Sequence, residues 1–336
     1  MSLPEPRANP ELFGHAAAEA MLADAMRAGR LHHAWLITGP EGIGKATFAF
    51  RFARRLLAGV APGNSLALAP DHPTFRRVAA GSHADLLTVE RAWDEKRKRL
   101  RGEIIIEHVR AVSAFLHRTA AEGGWRVVVI DGCENLNRNA SNALLKMLEE
   151  PPPRAILLLV ASSTGSLPPT IASRCRRLML APLDDAAMQL AVARLLPDID
   201  DAARARLIAL ADGSPGRAAM LAESGGLGAA DLVDRALTAP DRGTVLHAHA
   251  IADALGRDDT AFSTFMTLLR AAITAAVRDV AAGRADPDQI RLLGTRPLDA
   301  WVEVWETLGQ LQDHTEGAYL DKRQAVVTGL ALLRAT

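Results

Sequence analysis

Glycines, a lysine, an aspartate and an arginine carry most of the chemistry this sequence offers. The run Gly39-Pro40-Glu41-Gly42-Ile43-Gly44-Lys45-Ala46-Thr47 sits between an apolar stretch and a helical pattern. That is the strand–loop–helix setting of a phosphate-binding loop, G-x-x-x-x-G-K-[ST]. Gly39 and Gly44, with Gly42 between them, let backbone N–H groups approach a phosphate. Lys45 would reach its outer oxygens, and the helix N-terminus adds partial positive charge. One position departs from the pattern. The hydroxyl that binds Mg²⁺ belongs directly after the lysine, where Ala46 stands. Thr47 is turned about 100° further round the helix, so ATP could bind through backbone and lysine while the metal is poorly held.

A second acidic site shows the same weakness. Val127-Val128-Val129-Ile130-Asp131 reads as a buried strand ending in a carboxylate, a place from which Mg²⁺ is supported through water. An active ATPase has a glutamate next, to polarise the attacking water. Here Gly132 follows, and Glu134 lies two further on. Alone, Asp131 could equally be a helix cap or turn residue. Together the two departures predict little or no hydrolysis in this chain's own pocket, with no cofactor certain.

The third feature is Ser173-Arg174-Cys175, after Pro168-Pro169 and a probable strand and loop. Arginine stays charged and forks onto phosphate oxygens. Set beyond the phosphate loop, Arg174 suits a neighbouring subunit's phosphate better than its own. An arginine finger supplied in trans raises phosphoryl-transfer rates by roughly 10³–10⁵, although an isolated surface arginine is usually only solvated. Cys175 reads as a packing residue, since no histidine is placed to activate it. Ser162-Ser163-Thr164 either sense a terminal phosphate or simply end a strand. Arg217, after Gly213-Ser214-Pro215-Gly216, is either a second sensor or a solvated helix-start arginine.

The elements that must position these residues follow from hydrophobic periodicity. Buried-strand patterns cover 34–38, 86–89, 127–130, 156–161 and 177–180, separated by helical patterns at 45–58, 107–121 and 140–150. This alternation predicts a doubly wound α/β domain with a parallel sheet. The stretch Ala61 to Ser82 reads as a connecting excursion. Arg91 to Arg101, with Lys96, Arg97, Lys98 and Arg99, reads as a solvated loop or helix, or a contact to DNA or a partner. After Pro182 the patterns are helical. The expected division is an α/β domain at 1–182, a small helical lid at 183–238 and a helical domain at 239–336.

With 336 residues, the chain suits two or three domains. Lys+Arg and Asp+Glu both number 39, which argues against a stand-alone nucleic-acid coat. The only cysteines, Cys133 and Cys175, cannot build a zinc site by spacing, so no metal is expected, and their sparsity fits a reducing compartment. The longest apolar run, Ala155 to Ala161, is far short of the about 20 residues of a membrane span. The N-terminus lacks a signal peptide's apolar core. These features predict a cytoplasmic chain without a membrane partner.

Several motifs together resemble the clamp-loader branch of the AAA+ ATPases. They are Gly39–Lys45, Asp131, Asn142-Ala143-Leu144-Leu145-Lys146-Met147-Leu148-Glu149-Glu150-Pro151-Pro152 and Ser173-Arg174-Cys175. Phe13-Gly14-His15 and Leu31-His32-His33-Ala34 resemble the lead-in to that branch's phosphate loop. The resemblance is specific to about residue 220 and only architectural beyond. It implies a pentameric loader that opens a ring-shaped sliding clamp and closes it around primer–template DNA for bacterial DNA polymerase III. Implied partners are the gamma/tau and delta subunits. Within the branch, the departures at Ala46 and Gly132 resemble the stator type of subunit. That type has a degraded nucleotide site and donates the arginine of Ser-Arg-Cys, here Arg174, to the adjoining subunit's ATP. The last helical domain would form a collar. Many relatives carry a four-cysteine zinc module between the phosphate-loop helix and the next strand. This chain has none, although Ser82-His83-Ala84-Asp85 resembles the segment just after it. Against this stands an active AAA+ motor, such as a gamma/tau-like subunit or a branch-migration helicase, which would need a working Mg²⁺ site. A metabolic P-loop kinase would need an acceptor-substrate lid.

Overall fold

Five short segments pair side by side; the inner strands are nearly all apolar because helices cover both of their faces, while the edge strand that begins with Arg176 is largely exposed. In the computed structural model, which describes residues 4–94, 99–122, 124–238, 244–256, 258–318 and 320–333, the five are β1 (Ala34–Thr38), β2 (Leu86–Val89), β5 (Arg126–Asp131), β6 (Ala155–Ala161) and β7 (Arg176–Met179). Two further strands, β3 (Trp93–Asp94) and β4 (Arg99–Leu100), pair antiparallel as a separate ribbon. The Arg91–Arg101 stretch, expected as a loop or helix, therefore carries strand at both its described ends. Lys96, Arg97 and Lys98 lie outside the described residues.

The main sheet is wholly parallel, in the order β2-β5-β6-β1-β7. Its register sets every functional residue on one of two edges. Thr38 aligns with Ala161 and with Met179, Asp131 with Val160, and Val89 with Ile130. The residues that follow these strands therefore share the carboxyl edge. Trp35 aligns with Arg176 and Leu158, so the segments entering β7 and β6 share the amino edge.

Helix α1 (Ala16–Arg27) precedes the sheet, and α2 (Lys45–Leu57), α3 (Pro73–Ala79), α4 (Ile106–Leu116), α5 (Arg138–Glu149) and α6 (Pro169–Ala172) connect its strands. The expected excursion at 61–82 contains α3, started by Pro73 at its first turn and by His72, whose side chain accepts from the Thr74 N–H. The helix expected to reach residue 121 stops at Leu116. Asp85 explains this, since its carboxylate accepts from the backbone N–H groups of Ala121 (2.7 Å) and Glu122 (3.0 Å) and draws the chain into a turn. Asn137 caps α5 through the Ala140 N–H. Leu144, Met147 and Leu148 on its inner face join Val128, Ile130, Leu157 and Leu159 in one core cluster.

Two compact units divide the chain, Met1–Ala219 and Met220–Thr336. The first also holds α7 (Asp185–Leu195), α8 (Asp201–Ala211) and the start of α9 (Pro215–Glu223). The second is helical: α10 (Gly226–Thr238), α11 (Val245–Leu255), α12 (Asp259–Ala281), α13 (Pro287–Leu293), α14 (Leu298–Gly317) and α15 (Lys322–Leu332). Helix α12 is long and apolar enough to cross a bilayer by length and composition. Yet it is that unit's central helix, packing against α10, α13 and α14 with Phe262, Phe265, Leu269 and Ile273 buried. A scan for uninterrupted apolar runs misses it, because threonines and arginines punctuate it.

Candidate functional site

The carboxyl edge gathers the phosphate loop after β1, Glu90 after β2, Asp131 at the end of β5 and Ser162 after β6. Gly39, Gly42 and Gly44 adopt φ of 150°, 76° and 98°, conformations open to glycine at little cost. Space is equally restrictive at two of them. A Cβ at Gly39 would stand 2.3 Å from the Leu180 carbonyl oxygen, and one at Gly42 would stand 2.4 Å from the Ser214 Oγ.

Ser214 belongs to the turn that opens α9, and this turn clasps the loop. The Gly216 N–H donates to the Gly42 carbonyl (2.9 Å), and the Ser214 hydroxyl donates to the Glu41 carbonyl (2.8 Å). From the other side, His15 Nε2 donates to the Ile43 carbonyl (2.8 Å), which accounts for the Phe13-Gly14-His15 lead-in. Lys45 is folded back, its ammonium donating to the Pro40 carbonyl at 2.6 Å. Burial lowers its pKa, against the raising influence of Glu134, Glu41 and Asp131.

Two adjoining cavities, ≈ 740 and ≈ 520 Å³, open over this edge. Lys45, Glu41 and Asp131 line both; Thr47 and Gly216 line the smaller and Ser162 the larger. Pro4 to Phe13 supplies a wall that sequence reasoning missed, because nothing in its composition marks it as a binding segment. Arg51 on α2 donates to the Pro10 carbonyl (2.7 Å), and Arg54 donates to those of Arg7 (2.9 Å) and Asn9 (2.8 Å).

The donor set does not fit a magnesium–nucleotide site. Ala46 brings no hydroxyl, and the Thr47 residue is buried, with 9% exposure. Glu134 does not directly follow Asp131, and its Oε1 accepts from the Ser162 N–H at 3.0 Å, while its Oε2 has no hydrogen-bond partner. Asp131 is held above the ordinary carboxylate pKa, first by desolvation and then by Glu90, so burial works against its charged form. Arg217 lines neither cavity; its backbone N–H donates to Ser214 Oγ (3.1 Å).

Arg174 lies elsewhere. It enters β7 from α6, on the amino edge, and β1 alone separates the two edges by about 13 Å at 3.3 Å per residue. Its side chain is 37% exposed; Nη2 pairs with Glu149 Oε1 at 2.7 Å and Nη1 donates to the Thr170 carbonyl at 2.9 Å. Ser173 on one side bonds back to Thr170 through its hydroxyl (3.2 Å). Cys175 on the other sinks into the core, where burial pushes its thiol up to about 12. A thiol so placed is not a nucleophile. The triplet thus turns one residue inward and presents the arginine between its neighbours.

A parallel sheet carrying a phosphate loop on its carboxyl edge, clasped by a helical segment, with an arginine presented from the opposite edge, is the AAA+ architecture. The chain belongs to the family described as DNA polymerase III, delta subunit, whose model matches residues 14–184. It is 39% identical over 189 residues to DNA polymerase III subunit delta' of Pseudomonas aeruginosa, covering 54% of this chain and 53% of that one. To DNA polymerase III subunit delta' of Escherichia coli it is 34% identical over 203 residues, 60% of this chain and 57% of that one. The chain thus spans about half the length of the curated relatives it matches. A solved gamma-subunit-related protein from Thermotoga maritima aligns at a TM-score of 0.43 and 16% identity over 93% of this chain and 98% of that one.

Proposed function

We propose that this chain is the delta-prime, stator subunit of the DNA polymerase III clamp loader and donates Arg174 to ATP bound by an adjoining subunit. The placement of Arg174 carries the reading: it is half-exposed and on the edge of the sheet away from its own phosphate loop. A guanidinium there lies away from the chain's own loop and suits a phosphate held by another chain. In that role its free N–H groups would stabilise the charge that grows on the transferring phosphoryl group. The chain's own pocket contributes little or no hydrolysis, for want of a metal-holding hydroxyl after Lys45 and of a glutamate directly after Asp131. Its partners are the gamma/tau and delta subunits, and it meets the sliding clamp and primer–template DNA through the complex, in the cytoplasm. Residues 1–182 form the AAA+ domain, 183–238 the lid and 239–336 the collar that joins the subunits. The complex as a whole serves a holoenzyme with DNA-directed DNA polymerase activity.

The test is ATP turnover in a reconstituted loader. Arg174→Ala should leave assembly intact, by gel filtration, while cutting clamp- and DNA-stimulated turnover by roughly 10³-fold. A mutant complex running at the full stimulated rate would refute the finger. Isolated protein that turned over ATP robustly would refute the idle pocket.

A further inference from the structure

The ion pair between Arg174 and Glu149 has a geometry that stability does not explain. Glu149 is the last residue of α5, at the helix end where aligned peptide dipoles disfavour a negative charge. Its side chain is 49% exposed and that of Arg174 37%; such open pairs add little to folding. The pair does fix the guanidinium. One nitrogen is tied to the Glu149 carboxylate and the other to the Thr170 carbonyl, which sets the plane of the group. Arginine has five N–H donors, so these two bonds leave others for a phosphate.

The platform beneath is rigid. Leu148, Ile171, Ala172 and Cys175, neighbours of the paired residues and their anchors, are buried in the same core cluster. His33, at the entry to β1, donates from Nε2 to the Leu148 carbonyl at 3.0 Å and ties down the last turn of α5. The Leu31-His32-His33-Ala34, Asn142-to-Pro152 and Ser173-Arg174-Cys175 motifs therefore meet at one place on the amino edge.

We propose that Glu149 is a positioning residue that holds Arg174 ready for a phosphate on the adjoining subunit. The inference rests on the reading of Arg174 as a finger in trans. A long arginine stem loses rotamer freedom when it docks; an anchor that orders it beforehand removes that cost from the transition state, where small misplacements weigh heavily. Glu149 touches no substrate and acts only through Arg174.

The experiment compares Glu149→Ala, Glu149→Gln, Arg174→Ala and the Arg174→Ala/Glu149→Ala double variant in the reconstituted loader with clamp and primed DNA. Glu149→Ala is expected to lower stimulated kcat about tenfold while leaving the KM for ATP within about twofold. Glu149→Gln should recover most of the rate, because its amide oxygen still accepts from Nη2. The double variant should be no slower than Arg174→Ala alone, since the two residues act as one unit. If Glu149→Ala runs at the full rate while Arg174→Ala does not, positioning is refuted and the finger stands. Further slowing in the double variant, or loss of the assembled complex with Glu149→Ala, also overturns positioning, by giving Glu149 a role apart from Arg174. Full turnover by Arg174→Ala would overturn the finger, and the positioning role with it.

Discussion

Asp131 shows how a residue can keep its place in a motif while its surroundings work against its task. Its carboxyl is buried beside Glu90 and Glu134, and Lys45 only partly offsets their repulsion. Desolvation raises its folded pKa above the usual 3.8. An acid raised in this way weakens the fold once ionised. The penalty is absent below the unfolded value and complete above the folded one. Asp131→Asn should therefore be more stable than the parent at pH 7 by urea unfolding, with the gain disappearing below about pH 4. A gain that persisted unchanged at pH 3.5 would show that charge is not the cause. At Arg174 the motif alone was enough to single out the residue, since a Ser-Arg-Cys triplet after a strand is legible as text. Its partner Glu149 was not, because 24 intervening residues and a whole strand separate the two in sequence.

The connecting segments were the least legible. The amino-terminal strap has no periodicity, yet Arg54 on α2 holds it with two charge-assisted hydrogen bonds while lying 4.4 Å above the Phe75 ring. Arg54 is 1% exposed, and burial followed by the neighbouring Arg51 draws its pKa down to about 10, so it stays charged at neutral pH. Arg54→Met keeps the stem and loses these bonds. It should cost about 3 kcal/mol, since each hydrogen bond to a buried charge contributes roughly 1.5–3 kcal/mol. Urea unfolding would measure the cost, and faster amide exchange at residues 5–11 would show that the strap was what loosened. A midpoint unchanged from the parent would mean that the strap is held by other contacts. Helix α3 and the early end of α4 escaped sequence reasoning for a related reason. Each is decided by a single side chain, His72 or Asp85, whose partner is set by folding.

The chain as a whole consists of two compact units, each with its own core. In the helical unit, Phe265 is fully buried, Arg270 lies 4.0 Å over the Trp305 ring, and Gly309 leaves the room that this guanidinium fills. Units with separate cores unfold as separate cooperative steps. Phe265→Ala should therefore destabilise the helical unit by about 3–5 kcal/mol, shifting one calorimetric transition and leaving the other in place. A single transition that moved as a whole would show that the two units melt together.

The sequence by itself determined the doubly wound sheet, the phosphate loop and the absence of its metal-binding hydroxyl, because these depend on local periodicity and on residue types at fixed short spacings. It also set the order of the five sheet strands along the chain, and with it the candidate arginine. Only tertiary structure decided that Arg174 lies on the edge opposite the loop, that Glu149 holds it, and that Ser214 and Gly216 clasp Glu41 and Gly42. Those relations join residues from 25 to more than 170 positions apart. Parallel register and core packing bring them together, and neither leaves a mark in any short stretch of sequence.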